Sequence, residues 1–415
     1  MIERYIHQPR TLRRLQDNPL GTGLENLAVY LAERGYTPGT ISVYVRTAAH
    51  FGRWLEQERV EPDSITEDTV SLFLHEHLPR CTCAYAIRSL KDARPVLRHL
   101  LTALRDEGRI PVRLLPDLTP VDQEIKRFEE HLRTVCDCAH ETIVYRTRYV
   151  RDFLKTTYDQ RPLRPKDLAP RDIISFIRQR ARDCKPQSTR LIASSLRSYL
   201  RFLCLHGEID RDLSIAVPAV AGWRQAHLPR TLSEGQIERF FSTFNLSTPT
   251  GRRDYAICLC LSELGLRAHE VAGLCLDALH WREGTVRVSR TKTRRSRLLP
   301  LPSRVGGAIA DYLRNGRPKS ADRHVFLRHV APRGLGIGVQ IVRNAVDRAC
   351  SRLELRFGPH IFRHAFASRL YEKGTPFKEI ADLLGHQAID TVSIYAKVNL
   401  AELSKVALPW PGVRS

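Results

Sequence analysis

Residues 360–395 have the sequence HIFRHAFASRLYEKGTPFKEIADLLGHQAIDTVSIY, and this stretch decides how the C-terminal part of the chain is interpreted. His360 and Arg363 are spaced i, i+3, so a helix would place both side chains on one face. A Leu-Leu-Gly sequence comes directly before His386, and Tyr395 follows nine residues later. The segment therefore brings together four side chains that can move protons, bind anions or act as a nucleophile.

Two further basic residues lie upstream of this segment. Arg267 is part of the sequence GLRAHE at 265–270, and Lys292 is part of RTKT at 290–293. Alternating apolar residues at 285–288 and 298–301 predict two short strands, so Lys292 is expected on the turn between them.

The order Arg, Lys, His-x-x-Arg, His, Tyr, with these local contexts, resembles the tyrosine recombinase (phage integrase) family. The resemblance covers residues 230–408 closely and residues 121–213, as the core-binding domain of that family, more loosely. It implies a DNA strand-exchange enzyme in which Tyr395 is the nucleophile and a 3′-phosphotyrosyl link is the intermediate.

Elementary chemistry agrees with these roles. In-line attack on a phosphodiester increases the negative charge on the nonbridging oxygens, which the guanidinium groups of Arg267 and Arg363 can bind bidentately. Two such groups can replace a divalent metal, so we expect no metal, no cofactor and no ATP. The Tyr395 hydroxyl, with an ordinary pKa near ~10, needs a base.

The proton transfers can be assigned to the remaining residues of the set. His360 titrates near neutrality and is the candidate base, while Lys292 can protonate the leaving 5′ oxygen. His386 can donate a hydrogen bond to the phosphate in the transition state. Neighbouring polar residues have simpler interpretations: Glu270 pairs internally or orients Arg267, and His364 supports the site or packs in the core.

The charge of the chain indicates its partner. Lys plus Arg number 66 against 45 Asp plus Glu, a formal charge of +21, which favours a polyanionic partner such as nucleic acid. The family resemblance implies that this partner is double-stranded DNA at specific recombination sites. The longest apolar stretch, 256–266, is interrupted by Ser262 and Glu263 and is too short to span a bilayer. With no visible signal peptide, we expect a cytoplasmic protein that is nucleoid-associated when bound to DNA.

The N-terminal half contains a repeat with an offset of 103 residues, because 65–74 parallels 168–177 and 97–100 parallels 200–203. A similar helix pair precedes each copy, at 24–55 and 125–154, so each copy is predicted to be a helical bundle. The expected fold is mainly α with a small β-sheet: two helical-bundle, core-binding-like domains followed by an α+β tyrosine recombinase catalytic domain. The predicted boundaries are 20–115 and 121–213 for the two repeats, 230–408 for the catalytic domain and 409–415 for a tail.

Arginine-rich helix faces and the arginine-rich turn are candidate DNA-backbone contacts, although solvated charge is the simpler alternative. The residues are Arg146, Arg148, Arg197 and Arg201 in the second repeat, and Arg294, Arg295 and Arg297 around the turn.

Three Cys-x-Cys pairs occur, Cys81/Cys83, Cys136/Cys138 and Cys258/Cys260. Histidines 75, 77, 131 and 140 lie close to the first two pairs, so zinc is conceivable there. The spacing differs from the Cys-x2-Cys of common zinc sites, which favours core or incidental cysteines.

Residues 400–406 form an amphipathic pattern. The resemblance implies that this tail packs into a neighbouring protomer and that a homotetramer assembles on DNA, whereas the alternative is a helix that folds back on its own domain. Accessory DNA-bending proteins or a partner recombinase fit the same scheme.

Three functions are compatible with the sequence. A site-specific recombinase is the favoured one, and a type IB topoisomerase and a non-catalytic DNA-binding regulator remain open.

Overall fold

The computed structural model describes residues 2–83, 89–111, 118–159, 161–220, 232–289 and 296–385. The chain divides into two compact units, one of residues 1–112 with 228–415 and the other of residues 113–227. No helix in the described part of the chain is both long enough and apolar enough to cross a membrane.

The first part of the larger unit is helical. Its described helices are α1 (Pro9–Gln16), α2 (Thr22–Glu33), α3 (Pro38–Gln57), α4 (Glu67–Leu72) and α5 (Leu90–Asp106). Thr66 caps α4 by accepting a hydrogen bond from the backbone N–H of Thr69, and α4 continues directly into a π-helical turn, Phe73–His77. One apolar core, which extends from Ile2 to Ile110, holds these helices together.

The smaller unit repeats this arrangement. Its described helices are α6 (Pro120–Thr134), α7 (His140–Thr157), α8 (Pro170–Asp183) and α9 (Pro186–Leu205). Three of them begin with proline, whose fixed φ suits the first helical position. Their apolar core extends from Ile125 to Val217.

Ring contacts confirm the 103-residue repeat. The rings of His50 and Phe73 lie 5.2 Å apart at 78°, and those of Phe153 and Phe176 lie 5.2 Å apart at 71°. Each residue of the second pair is 103 positions after its counterpart in the first pair. The two copies therefore share a packing geometry as well as a sequence pattern.

The second part of the larger unit, from residue 232, adds a small sheet to a set of helices. The described helices are α10 (Glu234–Ser242), α11 (Pro249–Glu263), α12 (Ala268–Ala272), α13 (Ser303–Asn315), α14 (Val339–Ser351), α15 (His360–Glu372) and α16 (Phe377–Leu384). Residues 256–261 of α11 are fully buried, which explains the apolar run as a core helix.

The sheet has the order β1–β2–β3 and is antiparallel, with β1 Leu279–His280, β2 Thr285–Val288 and β3 Arg297–Pro300. It confirms the predicted pair of strands, although the second strand begins one residue earlier than expected. Val288 pairs with Arg297, so the segment predicted to carry Lys292 lies between these two paired residues in the sequence. The mainly helical fold with a small sheet agrees with the sequence prediction, whereas the exact domain boundaries remain a prediction.

Candidate active site

Arg267 is positioned by a sharp turn after the buried helix α11. Gly265 has a φ of +61°, and a Cβ at this position would lie 2.6 Å from the Phe366 ring, so the turn requires glycine. The turn brings Arg267 to the N-cap of α12, with 27% of its side chain exposed. Its guanidinium is therefore fixed by the fold and still accessible to a ligand.

Glu270 holds two arginines in place. Its carboxylate accepts hydrogen bonds from the Arg267 backbone N–H at 2.8 Å and from Arg267 Nη1 at 3.3 Å. Arg297 donates to both carboxylate oxygens, at 3.0 and 2.9 Å. Burial opposes the ionisation of Glu270, but the hydrogen bonds and charge of Arg297, together with Arg267, outweigh it and lower the pKa of the carboxyl. The expectation that Glu270 orients Arg267 is confirmed.

Arg363 approaches Arg267 at the end of α16. The Arg363 side chain is buried and donates from Nη1 to the Gly265 carbonyl at 2.8 Å and from Nη2 to the Leu384 carbonyl at 2.5 Å. Arg267 Nη1 lies 3.5 Å from the same Leu384 oxygen. Both guanidinium groups thus converge on one backbone acceptor, the Leu384 carbonyl. We call Arg267, Arg297, Arg363 and Glu270 the arginine cluster.

The Leu384 carbonyl is available because α16 ends there. Gly385 adopts the left-handed conformation at φ +63°, which stops the helix and leaves its last carbonyls without helical partners. The negative end of the helix then faces two cations, a favourable arrangement. His386 comes directly after this glycine in the sequence.

His360 opens α15 and lies at the rim of a cleft of about 470 Å³. The cleft is lined in part by His364, Arg343 and Arg356. Partial burial, followed by the positive charges of Arg363, Arg267 and Arg343, lowers the pKa of His360. A neutral imidazole near pH 7 follows, which is the form that can accept a proton.

Several predicted site residues lie outside the described residues. These are Lys292, Arg294, Arg295, His386 and Tyr395. Their sequence neighbours are described: Arg297 is tied to Glu270 at one end of the turn, and Gly385 follows the arginine-bound Leu384. The site roles of all six predicted catalytic residues remain predictions.

The arginines predicted to contact DNA differ in their surroundings. Arg148 and Arg201 are exposed. Arg146 donates to Ser198 Oγ at 3.1 Å, and Arg197 donates to the carbonyls of Val217 and Pro218, both at 3.0 Å. Arg146 and Arg197 support the fold of the second repeat. Arg201 also donates from Nε to Ser214 Oγ at 3.4 Å but is exposed, as is Arg148, so these two are the better candidates for DNA contact.

Arg297 also has a structural contact that its sequence position did not reveal. Only 12% of its side chain is exposed, and both terminal nitrogens bind Glu270.

The sequence did not reveal Arg343 as a residue of the cleft near His360. Arg343 comes from α14, a helix whose sequence contains no recognisable motif. Tyr371, which lies on α15, packs its ring against that of Phe377 with the ring centroids 5.0 Å apart.

Comparisons with known proteins identify the family of the chain. Residues 230–402 match the model of the phage integrase family, and residues 125–207 match the model described as phage integrase, N-terminal SAM-like domain. A putative integrase/recombinase of Sinorhizobium fredii strain NGR234, y4rA, is 35% identical over 98% of this chain and 98% of its own length. This chain belongs to the phage integrase family.

Other integrase-family proteins are more distant. Tyrosine recombinase XerD of Listeria innocua is 31% identical over 58% of this chain and 82% of its own length. The crystal structure of the XerH site-specific recombinase bound to a palindromic difH substrate has a TM-score of 0.54 at 15% identity, covering 70% of this chain and 90% of that one. The chain therefore has the fold of this family and is a tyrosine recombinase, an enzyme of DNA recombination.

The first repeat lies outside both family models, which begin at residues 125 and 230. The Sinorhizobium relative nevertheless matches this chain over almost its whole length. The additional N-terminal region is thus shared with at least one integrase-type relative.

Proposed function

We propose that this chain is a site-specific recombinase of the integrase type that cuts and rejoins double-stranded DNA with Tyr395 as its nucleophile. The observation that carries the proposal is the convergence of Arg267 and Arg363 on the Leu384 carbonyl. Two guanidinium groups held at one point form a binding site for the two nonbridging oxygens of a phosphodiester. The family membership supplies the reaction class.

In the proposed cleavage step, the side chains of the chain account for every bond and proton, and no cofactor takes part. The Tyr395 oxygen bonds to phosphorus, the bond from phosphorus to the 5′ oxygen breaks, and His360 takes the tyrosine proton. Lys292 gives a proton to the leaving 5′ oxygen, and His386 donates a hydrogen bond to the phosphate. The phosphotyrosyl bond conserves the energy of the phosphodiester, so the 5′-hydroxyl of another strand can displace the tyrosine without ATP.

The arrangement of the arginine cluster supports charge stabilisation at the phosphate. Arg363 is held by two carbonyls, and Arg267 by a carboxylate that is itself held by Arg297. Donors fixed before the substrate arrives need no reorganisation during the reaction, which is what makes such groups effective. Glu270 and Arg297 act here as positioning residues and do not touch the phosphate.

The partners follow from the same proposal. The formal charge of +21 suits a duplex DNA partner, and the XerH structure to which this chain is similar is a complex with its difH substrate. We further propose that the first repeat adds DNA contacts, that the 400–406 segment joins protomers into a tetramer, and that the protein acts in the cytoplasm at the nucleoid.

The proposed function is tested by an assay that distinguishes recombination between two plasmids from relaxation of a supercoiled plasmid. Two plasmids that carry the terminal sequences of the native element are incubated with the full chain, and a plasmid without these sequences is incubated in parallel. Recombinant products that form only from the site-bearing pair are expected, and Arg267→Ala should abolish them. Relaxation of the plasmid without sites, with no recombinants, would instead identify a topoisomerase. Site-specific binding without either product would identify a regulator.

A further inference from the structure

A group of histidines and cysteines in the first repeat has no place in the recombination mechanism. Nε2 of His50 and Nε2 of His77 are 3.1 Å apart, and Sγ of Cys81 is 3.3 Å from His50 Nε2. Cys83 completes the group, whose four ligand atoms all lie within 4.8 Å of one another. We call these four residues the His/Cys cluster.

The distances suit a tetrahedral metal ion. With Zn–N bonds of about 2.0 Å and Zn–S bonds of about 2.3 Å, the ligand atoms of a tetrahedral site are separated by about 3.3–3.8 Å. The nitrogen–nitrogen and nitrogen–sulfur distances of the cluster approach this range before any ion draws the ligands into place. Two imidazoles and two thiols are also a common zinc ligand set.

The local fold gathers these ligands from separate segments. His50 is buried on α3, and His77 is the last residue of the π-helical turn. A 3₁₀ turn, Leu78–Arg80, then leads to Cys81, whose Sγ accepts a hydrogen bond from the Cys83 backbone N–H at 3.3 Å. π-Helical turns are rare and often occur at functional sites, since they rotate the following side chain out of the α-helical phase.

The second repeat provides an internal comparison. The positions 103 residues after His50, His77, Cys81 and Cys83 are Phe153, Arg180, Cys184 and Pro186.

The counterparts in the second repeat use ordinary packing. Phe153 is buried, and Arg180 donates to Asp152 at 2.6 Å while its guanidinium lies over the Phe176 ring. Three of the four positions thus differ between copies that otherwise share a packing geometry. All three differences introduce a metal-binding side chain into the first copy.

We infer that His50, His77, Cys81 and Cys83 bind a structural Zn²⁺ ion in the first repeat. Four protein ligands fill a tetrahedral site and leave no open position, which is typical of structural rather than catalytic zinc. Binding releases the thiol protons of the two cysteines, and no electron transfer is involved. The ion cross-links α3 to the segment that follows α4, a connection that the second repeat makes with an apolar core and an ion pair.

The other histidine and cysteine pairs in the described part of the chain lack this arrangement. His75 contacts Arg94 on α5, and Cys136 is exposed with its sulfur 3.5 Å from His131 Nε2. Among the described residues, no second group of three or more His, Cys, Asp or Glu side chains brings its ligand atoms equally close. The Cys136/Cys138 pair has the same Cys-x-Cys spacing and a nearby histidine, so it is a matched control.

The test is the zinc content of the full-length protein, purified without a histidine tag and measured by inductively coupled plasma mass spectrometry. Wild type should carry about one zinc ion per chain, and the Cys81→Ser/Cys83→Ser double variant should bind zinc at least about 100-fold more weakly. The Cys136→Ser/Cys138→Ser variant should retain the wild-type zinc content. Circular dichroism of each variant establishes that the remainder of the chain is folded.

Cobalt substitution provides a second measurement that does not depend on DNA cleavage. Co²⁺ added to metal-free wild type should give the intense d–d bands of tetrahedral coordination and a thiolate charge-transfer band, both absent from the Cys81→Ser/Cys83→Ser variant. Metal-free wild type that gives neither band and takes up no zinc would overturn the inference. Full zinc content in the Cys81→Ser/Cys83→Ser variant would overturn it as well.

Discussion

The arginine cluster and the His/Cys cluster both place polar side chains in partly buried positions, but with opposite chemistry. In the arginine cluster, cations are held by a carboxylate and by backbone carbonyls, so the cluster carries surplus positive charge. In the His/Cys cluster, nitrogen and sulfur atoms that can serve as metal ligands lie within 4.8 Å of one another. One cluster is suited to bind an anion, and the other is suited to bind a metal ion.

The contrast also separates the two proposed roles of positive charge in the molecule. In the proposed cleavage step, positive charge at the scissile phosphate comes from guanidinium groups, which remain protonated. The zinc that we infer lies in the first repeat, where it stabilises structure. Experiments that separate cleavage from metal content test this division directly.

The largest expected effect comes from removing a cation of the arginine cluster. Arg363→Ala should lower the rate of strand cleavage by roughly 10²–10³ or more, because a fixed donor to the transition-state phosphate is lost. Arg363→Lys should also be severely impaired, since an ammonium cannot bind two oxygens in the same plane. Single-turnover cleavage of a radiolabelled site measures both rates.

Arg369→Ala is the matched control for Arg363. Arg369 lies on the same helix, α15, and donates to the Ser262 carbonyl at 2.7 Å, so its loss also removes a hydrogen bond to backbone. It should retain most of the cleavage rate. Equal losses in the two variants would indicate a defect of folding and not of chemistry.

The second-largest expected effect is a loss in the free energy of unfolding when the Glu270 carboxylate is removed. Glu270→Gln leaves Arg297 and Arg267 without their carboxylate, and breaking such a buried ion pair costs about 3–5 kcal/mol in the free energy of unfolding. Because the pKa of Glu270 is lowered in the folded state, this stabilisation is present above the ordinary carboxyl pKa and is lost as the pH falls through the lowered value. Urea unfolding should therefore separate variant from wild type at pH 7 more than at pH 4.

Glu263→Gln is the control for that measurement. Glu263 pairs with Arg304 at 3.0 Å, but more than half of the Arg304 side chain is exposed to solvent. A cost below about 1 kcal/mol is expected for such a pair. A pH-independent difference between Glu270→Gln and wild type would refute the proposed ionised state of Glu270.

Chelation should separate the two clusters without any mutation. Cleavage by wild type in EDTA should stay within about twofold of its rate in buffer, since arginines supply the charge. Prolonged treatment with a strong chelator should remove the zinc and lower the thermal midpoint of the first repeat. Complete and immediate loss of cleavage in EDTA, by protein that still binds DNA, would contradict the metal-free mechanism.

The smallest expected effect concerns single phosphate contacts in the two repeats. Arg98 and Arg201 are exposed and lie at equivalent positions of α5 and α9. Each change to alanine should weaken DNA binding severalfold and reduce the slope of log affinity against log salt by about 1. If Arg98→Ala leaves both quantities unchanged while Arg201→Ala does not, the first repeat does not add the proposed contacts.

Sequence patterns revealed the parts of the molecule that depend on local spacing. The two strands predicted at 285–288 and 298–301 are present as β2 and β3, with β3 shifted by one residue, and the repeat offset predicted matching helix pairs. The motif around Arg267 also predicted Glu270 as its partner. Each of these features depends on residues within a few positions of one another, or on a pattern that repeats.

Contacts between distant segments were beyond the reach of the same reasoning. Cys81, Cys83 and His77 were noticed, but His50 lies 27 or more residues away and no spacing rule connects it to them. The π-helical turn also changes the direction of His77, which an α-helical pattern would place incorrectly. The contact of Arg297 with Glu270 likewise crosses from the sheet to α12.

The most direct measurement of the central claim is the identification of the covalent adduct. A suicide substrate, nicked so that the 5′-hydroxyl fragment diffuses away, should trap wild-type protein on the 3′ end of the DNA in a form that survives denaturation. Proteolysis and mass spectrometry should then locate the DNA on the peptide that contains Tyr395, and Tyr395→Phe should bind the site without forming an adduct. An adduct on Tyr371, or cleavage by Tyr395→Phe at the wild-type rate, would contradict the account.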